Sequence, residues 1–226
     1  MKKIRPRVPE GGAIEDSNEM SMEQYSSTMR KKLEKHYKKF ALHIKNKISP
    51  VQNGKTLEIG PGPGWAGIFL LKERNDIFLD AIEASPDMIR VANNNAKDEG
   101  VSDRVNYIQG VVENMQNIPD NTYDLVISRE SLHHWDDPEN GFKEIFRILK
   151  PGGKLYIEDH RRDIGFLAKC IVNLIGPLMA GKMAKYWKSS INAGYTQEEI
   201  KKIIARIPEN KWIVKADILS LSISLI

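Results

Sequence analysis

The sequence predicts an α/β protein built on a doubly wound, mostly parallel sheet of seven strands, with an antiparallel last strand. Three observations indicate this fold. Short apolar segments alternate with amphipathic helical segments through the middle of the chain, as in βαβ units. A glycine-rich loop follows the first of the apolar segments. The final segment alternates Leu221, Ile223 and Leu225 with serines, as a strand with one buried face does.

The predicted elements follow one another with short connections, and capping signals mark several helix starts. Ser21 with Gln24, and Thr196 with Glu199, both fit a capping box. The predicted helices cover residues 21–45, 65–74, 86–99, 138–149 and 196–206. The predicted strands cover residues 56–59, 77–82, 105–108, 123–127, 154–157, 212–216 and 219–225. A turn at Lys150-Pro151-Gly152-Gly153 is expected to close the helix at 138–149.

The domain organisation follows from where this alternation is interrupted. Residues 1–50 are expected to form a helical N-terminal lid, with a mobile, polar stretch at 1–19. Residues 51–226 are expected to form the main domain. An apolar, glycine-interrupted segment at about 160–194 fits an inserted helical cap better than a core element. The lid helix also carries a row of cations, for which a solvated surface is the favoured interpretation and an anionic ligand the alternative.

Composition limits the possible function classes. The chain of 226 residues is 41% hydrophobic and 28% charged, as expected of a globular protein. A net charge of +4 neither requires nor excludes nucleic acid. The single cysteine, Cys170, excludes an internal disulfide and a cysteine-based zinc site, and is typical of a reducing compartment. Without a signal-like or membrane-length apolar run, the expected location is cytoplasmic.

The strongest local signal is the loop that contains Gly60, Gly62 and Gly64. Glycine can adopt positive φ and lets a ligand approach the backbone. The segment Gly62–Gly67 also fits the dinucleotide pattern G-x-G-x-x-G, and Glu83 follows at the distance of a ribose-binding acid. Glu58, before the loop, would repel an anionic pyrophosphate but would favour a ligand with cationic groups. The sequence therefore favours S-adenosyl-L-methionine over a dinucleotide.

A series of motifs along the chain resembles those of the class I S-adenosylmethionine-dependent methyltransferases, in the branch called methyltransferase type 11. The resemblance covers about residues 55–158 and implies a Rossmann-like fold with S-adenosyl-L-methionine as the cofactor. The motifs are Glu58–Gly64, Glu83, Gly110–Glu113, Asp120–Val126, Leu132–Trp135 and Leu149–Gly153.

The resemblance also implies a role for each matching residue. Gly60, Gly62 and Gly64 would approach the methionine part and the ribose, and Glu58 would contact the amino group. Glu83 would accept hydrogen bonds from both ribose hydroxyls. The adenine would meet Met88, the Val112 amide and Glu113, while Ser128 would lie beside the methionine end. Val111 stands where the family usually has an adenine-binding aspartate, so Glu113 or Asn114 would have to supply that acceptor.

The sequence says less about the residues that would contact the methyl acceptor. A general base is required only if the acceptor must lose a proton, and His134 and His160 are the predicted candidates. The wider set at the expected mouth of the site is Tyr25, Glu130, His133, His134, Glu158, Asp159 and His160. No metal site is predicted, because no cysteine or third histidine stands at ligand spacing from His133 and His134.

The predicted function is in-line methyl transfer to a small molecule that is apolar or aromatic. The chain lacks the Asn/Asp-Pro-Pro-Tyr motif of amino-group methyltransferases after strand 123–127, and one cysteine is too few for arsenic methylation. The alternatives are an enzyme acting on RNA or protein, a non-catalytic cofactor-binding protein, and a nicotinamide-dependent oxidoreductase. Nucleic acid is not the expected partner, and the expected oligomeric state is a monomer or a homodimer.

Overall fold

A computed structural model describes residues 6–8, 20–175, 181–208 and 211–225. Its helices are α1 (Met22–His43), α2 (Trp65–Glu73), α3 (Pro86–Asp98), α4 (Pro138–Ile148), α5 (Phe166–Cys170), α6 (Ala184–Ala193) and α7 (Gln197–Ile204). Its strands are β1 (Lys55–Ile59), β2 (Phe78–Glu83), β3 (Val105–Gln109), β4 (Tyr123–Arg129), β5 (Leu149–His160), β6 (Trp212–Ala216) and β7 (Ser220–Leu225).

All seven strands form one sheet in the order β3-β2-β1-β4-β5-β7-β6. The first five pair in parallel, and β7 runs antiparallel to both β5 and β6. The predicted fold class, including the antiparallel last strand, is therefore confirmed. The strand order reverses between β1 and β4, and an open parallel sheet binds ligands beyond the carboxyl ends of its strands at such a point.

The core consists of two apolar layers, one on each face of the sheet. One layer joins α4 and α7 to the sheet around Phe142 and Ile200, both fully buried. The other joins α1 and α2 around Phe40 and Ile68. β1 is buried at four of its five positions because both of its faces are covered. The sheet thereby fixes the loop after β1 at the centre of one edge.

Helix α1 has the capping box that the sequence predicted, with Ser21 and Gln24 bonding reciprocally. It ends in a π-helical turn at Ile44–Ile48, after which Ser49 has a φ of 52°. The Trp65 indole N–H donates to the carbonyl of Ser26 at 3.0 Å, and this bond joins α1 to the start of α2. Helix α1 is thus attached along its length to the sheet domain.

Two predictions about individual segments need correction. The segment Lys150–Gly153 is part of β5 and not a separate turn, because β5 pairs with β4 from Leu149 onward across an irregular register. Of the stretch predicted to be mobile, residues 6–8 are docked: the Arg7 guanidinium donates to the carbonyls of Ala193 at 2.7 Å and His133 at 2.5 Å. The part of the predicted cap at 176–180 lies outside the described residues.

Candidate active site

The glycine loop after β1 lies at the sheet's reversal point and has the backbone conformation that the sequence predicted. Gly60 has a φ of 63°, and a Cβ there would overlap the Ser131 hydroxyl. Gly62 has a φ of 53°, and a Cβ there would meet nothing within 4 Å. Gly60 thus lies against the protein, whereas Gly62 borders open space. The open space beside Gly62 would allow a ligand to contact the loop backbone directly.

Glu83, at the end of β2, fixes the loop from the side. One carboxylate oxygen accepts the Gly62 N–H at 2.9 Å, and the other accepts the Ser85 N–H at 3.0 Å. Ser85 caps α3 by accepting from the Met88 N–H. The carboxylate lines the cavity beside Gly62. An acceptor-only group held there fits a ribose diol, which has two hydroxyl donors.

Glu58 lies beneath the loop and does not line the cavity. Its side chain is buried against α2, where a Cβ on Gly67 would overlap its carboxylate. Burial raises the pKa of Glu58 to about 8, and the charge of Glu83 adds to that rise. The sequence-based argument placed this carboxylate beside the ligand. Its contact with the cofactor amino group stays a prediction, while the structure shows why residue 67 is glycine.

Residues predicted to contact adenine reach the cavity surface. Met88, Val111, Val112 and Glu113 all line the cavity, and Val111 is 45% exposed. A Glu113 carboxylate oxygen accepts the N–H groups of Asp136 at 2.9 Å and Asp137 at 3.3 Å. Glu113 therefore positions the start of the segment before α4. Its predicted contact with adenine, and that of Asn114, remain predictions.

Ser128 and Gly64 lie behind the cavity surface. The Ser128 hydroxyl is fully buried and donates to the Ile59 carbonyl at 2.9 Å, which joins β4 to β1. Ser131 lines the cavity instead, in contact range of Gly60, and its hydroxyl accepts the Trp135 indole N–H at 3.1 Å. Sequence reasoning did not single out Ser131, because nothing local shows that it faces the glycine loop.

A histidine–carboxylate pair lies at the carboxyl ends of β4 and β5. Nδ1 of His133 is 2.7 Å from one oxygen of Asp159, and the His133 backbone N–H donates to the other at 2.7 Å. Both side chains are almost fully buried. Burial raises the pKa of Asp159, but the neighbouring His133 more than offsets this, so the net pKa is lowered. An ionised carboxylate therefore orients the His133 ring.

The predicted bases, His134 and His160, belong to the same cluster and line the cavity. The His133 ring is 4.1 Å from that of His134 and 5.9 Å from that of His160, centroid to centroid. Burial lowers the pKa of His160, although Glu130 and Asp159 partly oppose this. The structure thus brings together three histidines that the sequence separates by up to 27 positions.

Arg129 and Glu130 form the other half of the cluster. The Arg129 guanidinium is 2.7 Å from the Glu130 carboxylate, 3.6 Å from that of Glu158 and 4.9 Å from the Tyr37 ring centroid. Burial alone would raise the pKa of Glu130. The electrostatic effects of Arg129 and His160 are together larger, so the net pKa is lowered. Glu130 has a φ of 55°, a strained conformation for a side-chain-bearing residue that is most frequent at functional sites.

One cavity of about 1440 Å³ connects the glycine loop with this cluster. Its remaining wall consists of one face of α1, part of α6 and the ends of β6 and β7. Apolar and aromatic side chains dominate that wall: Tyr25, Met29, Leu33, Phe40, Met183, Tyr186 and Trp187. The space is large enough for a cofactor and a second molecule, since ligand pockets commonly measure about 300–1,000 Å³.

Neither a metal centre nor a membrane-spanning helix is found among the described residues. No group of three histidine, cysteine or acidic side chains within ranges 6–8, 20–175, 181–208 and 211–225 is arranged to hold a metal ion. Over the same ranges, no helix combines the length and apolar character needed to cross a bilayer.

Sequence similarity supports the same family. A protein-family model of the methyltransferase domain matches residues 57–157. The chain is 36% identical to the uncharacterised methyltransferase YdaC of Bacillus subtilis over 118 residues. These residues make up 52% of this chain and 62% of YdaC. It is 21% identical to a demethylmenaquinone methyltransferase of Bacteroides fragilis, over 91% of this chain and 89% of that one. The chain thus spans less than two thirds of YdaC.

Structural similarity extends over more of the chain. A crystal structure of a protein from Methanococcus maripaludis, described as a putative S-adenosylmethionine-dependent methyltransferase, superimposes with a TM-score of 0.70 and 26% identity, covering 90% of each chain. The strand order, the loop after β1 and the acid at the end of β2 agree with this assignment. The match of residues 57–157 to the methyltransferase domain, together with this structural similarity, supports the predicted resemblance to the class I S-adenosyl-L-methionine-dependent methyltransferases.

Proposed function

We propose that this protein transfers a methyl group from S-adenosyl-L-methionine to a small-molecule acceptor with an apolar or aromatic part. One observation carries the proposal: a single cavity is lined by the glycine loop and Glu83 at one place, and by the histidine cluster and an apolar wall at another. When bound, the cofactor supplies a methyl group on a cationic sulfur, which is a good leaving group. The protein must then chiefly align the two molecules and exclude water.

The cofactor-binding residues in this proposal are those with a suitable group at the cavity surface. Glu83 would accept the ribose hydroxyls, and the backbone at Gly60 and Gly62 would lie against the methionine part. Met88 and Val112 would enclose the adenine. Glu58, Gly64 and Ser128 act from behind the surface in this account, by holding the loop and β4 in place.

The histidine cluster would receive the proton of an acceptor that must lose one. A His133 Nδ1–H that donates to Asp159 leaves the Nε2 lone pair as the basic site of that ring. Because burial lowers the pKa of His160, that ring is neutral near pH 7 and can also accept a proton. His134 and His160 remain the proposed bases, and His133 with Asp159 joins them.

The proposed closing elements are α1 and the cap. We assign residues 1–50 as a lid and about 160–194 as a cap on a methyltransferase domain at 51–226, because α1 and α6 form the apolar wall of the cavity. Such enclosure favours a small acceptor over RNA or a folded protein. The same proposal includes a cytoplasmic location and a monomeric or homodimeric state.

A labelling experiment tests the proposed function. The full chain is incubated with methyl-tritiated S-adenosyl-L-methionine and with three pools in turn: metabolites below about 1 kDa, total RNA, and unfolded protein. The proposal expects label only in organic-extractable small molecules, and less of it with Asp159→Asn. Label in RNA or protein would contradict the acceptor class, and no label in any pool would contradict methyl transfer.

A further inference from the structure

One face of α1 presents a row of basic side chains to the cavity. Lys32, His36, Lys39 and His43 recur at steps of four, three and four, so they lie along one side of the helix. All four line the cavity, and Lys215 at the end of β6 lines it too. Both Lys39 and Lys215 are exposed side chains.

The cations on the outer side of α1 differ from those on this face. Arg30 is 2.5 Å from a carboxylate oxygen of Glu99, and Lys38 is 2.5 Å from one of Glu34. Among the residues that the structure describes, neither Lys39 nor Lys215 has a carboxylate within ion-pair distance. Within the described part of the chain, Lys39 on the cavity face of α1 and Lys215 beside the cavity therefore carry charges without an ion-pair partner.

Nearby acids are already engaged with other groups. Glu130 and Glu158 pair with Arg129, and Asp159 pairs with His133. A side-chain oxygen of Asp217, two residues from Lys215, accepts the Ile218 N–H at 2.7 Å. None of these four acids lies within ion-pair distance of Lys39 or Lys215.

His43 lies between this charge and the histidine cluster. Its ring is 4.6 Å from that of Tyr156, whose hydroxyl donates to Glu158 at 3.4 Å. Burial lowers the pKa of His43 most, Glu158 opposes this, and Lys47, Lys215 and Lys39 lower the pKa further. Lys39 and His43 are one helical turn apart on α1, and both line, with Lys215, the cavity that contains the proposed site of methyl transfer.

We propose that Lys39 and Lys215, with His43 beside them, bind an anionic group of the acceptor, either a carboxylate or a phosphoryl group. The inference rests on the proposed function, because it assigns the far end of the same acceptor. An ammonium group without an ion-pair partner among the described residues, beside an apolar wall, can donate a charge-assisted hydrogen bond to an anionic ligand. The acceptor would then be amphipathic, with its apolar part against Leu33 and Phe40 and its anion at this subsite.

A pair of fluorescent probes tests the subsite without requiring turnover. The aromatic anion 8-anilinonaphthalene-1-sulfonate and the neutral N-phenyl-1-naphthylamine share a ring system and differ in the sulfonate. Each is titrated into the full chain saturated with S-adenosylhomocysteine. The test variant is Lys39→Met/Lys215→Met, and the control is Lys35→Met/Lys38→Met, which removes two charges from the same helix away from the cavity. Displacement by inorganic phosphate or by benzoate distinguishes a phosphoryl from a carboxylate preference.

We expect the test variant to bind the anionic probe at least about tenfold more weakly, while its binding of the neutral probe and of S-adenosylhomocysteine is unchanged. The control variant should bind both probes like the wild type. Equal losses in the two variants, or a wild type that binds the neutral probe as tightly as the anionic one, would overturn the subsite. Failure of the proposed function would show separately, as absent binding of S-adenosylhomocysteine.

Discussion

The proposed cofactor side and the proposed acceptor side of the cavity are built in different ways. The residues proposed for the cofactor side come from one stretch of chain, 58–113, and lie at or shortly after the ends of β1, β2 and β3. The acceptor side combines α1, the ends of β4 and β5, part of α6 and the ends of β6 and β7. In this account, the methyl-donor site depends on turns that are close together in the sequence. The acceptor site depends on segments that only the tertiary fold brings together.

The largest expected effect concerns the acceptor side. Asp159→Asn removes the charge that orients His133 while conserving side-chain volume. We expect turnover to fall by about 10²–10⁴-fold, the usual contribution of a positioned base, with the affinity for S-adenosylhomocysteine kept. Steady-state kinetics and calorimetry measure the two quantities. A parallel loss of cofactor affinity would remove the distinction between the two sides.

The next effect concerns the glycine loop on the cofactor side. In Gly60→Ala the new methyl group would overlap the Ser131 hydroxyl, in addition to the strain of a φ of 63°. Gly100→Ala is the matched control, because Gly100 has a φ of 69° and open space around its Cβ position. We expect Gly60→Ala to weaken S-adenosylhomocysteine binding by about 10–100-fold, since overpacking costs roughly 1–3 kcal/mol, and Gly100→Ala to leave it unchanged. Similar affinities for the two variants would contradict a closely packed loop.

Glu58 gives a pH-dependent test of the support beneath the loop. Its folded-state pKa of about 8 lies above the usual value of 4.5, so the native state binds more protons than the unfolded state between these limits. This contribution to stability is therefore lost as pH rises from about 5 to 8. Glu58→Gln should remove this dependence, so between pH 5 and pH 8 the stability of the variant relative to the wild type should rise by about 3–4 kcal/mol. Denaturant unfolding at the two pH values measures this, and a pH-independent difference would contradict burial of the carboxyl group.

The smallest effect sharpens the assignment of the residues predicted to contact adenine. Val111 is half exposed and lines the cavity. Val111→Asp would restore the acceptor that the family usually has, so we expect about three- to tenfold tighter binding of S-adenosylhomocysteine, as one added hydrogen bond gives. Val111→Asn serves as the uncharged comparison. Unchanged or weaker binding by both variants would place the adenine elsewhere.

Sequence reasoning succeeded where the signal was local. The parallel sheet was predicted from the alternation of elements and the antiparallel end from two final strands joined by a tight turn, and both are confirmed. Glu83, predicted from its distance to the glycine loop, lies beside that loop, while its role towards the cofactor stays a prediction. The burial of Glu58 beneath the loop was not foreseen, because a strand's period of two does not show which face the carboxylate occupies. It also missed Arg7, which contacts His133 from the other end of the chain, and Ser131, which lies against Gly60. Such contacts depend on tertiary packing that no short motif encodes.

Calorimetry with S-adenosylhomocysteine on the wild type and on Glu83→Gln tests the central claim, that the glycine loop and Glu83 form the donor site of this cavity. The control is Asp103→Asn, an exposed acid outside the cavity. We predict one site with micromolar-range affinity in the wild type and the control, and an affinity about 10–100-fold weaker in Glu83→Gln, as for a lost hydrogen bond to a charged group. No binding by the wild type, or equal affinity in all three proteins, would contradict the account.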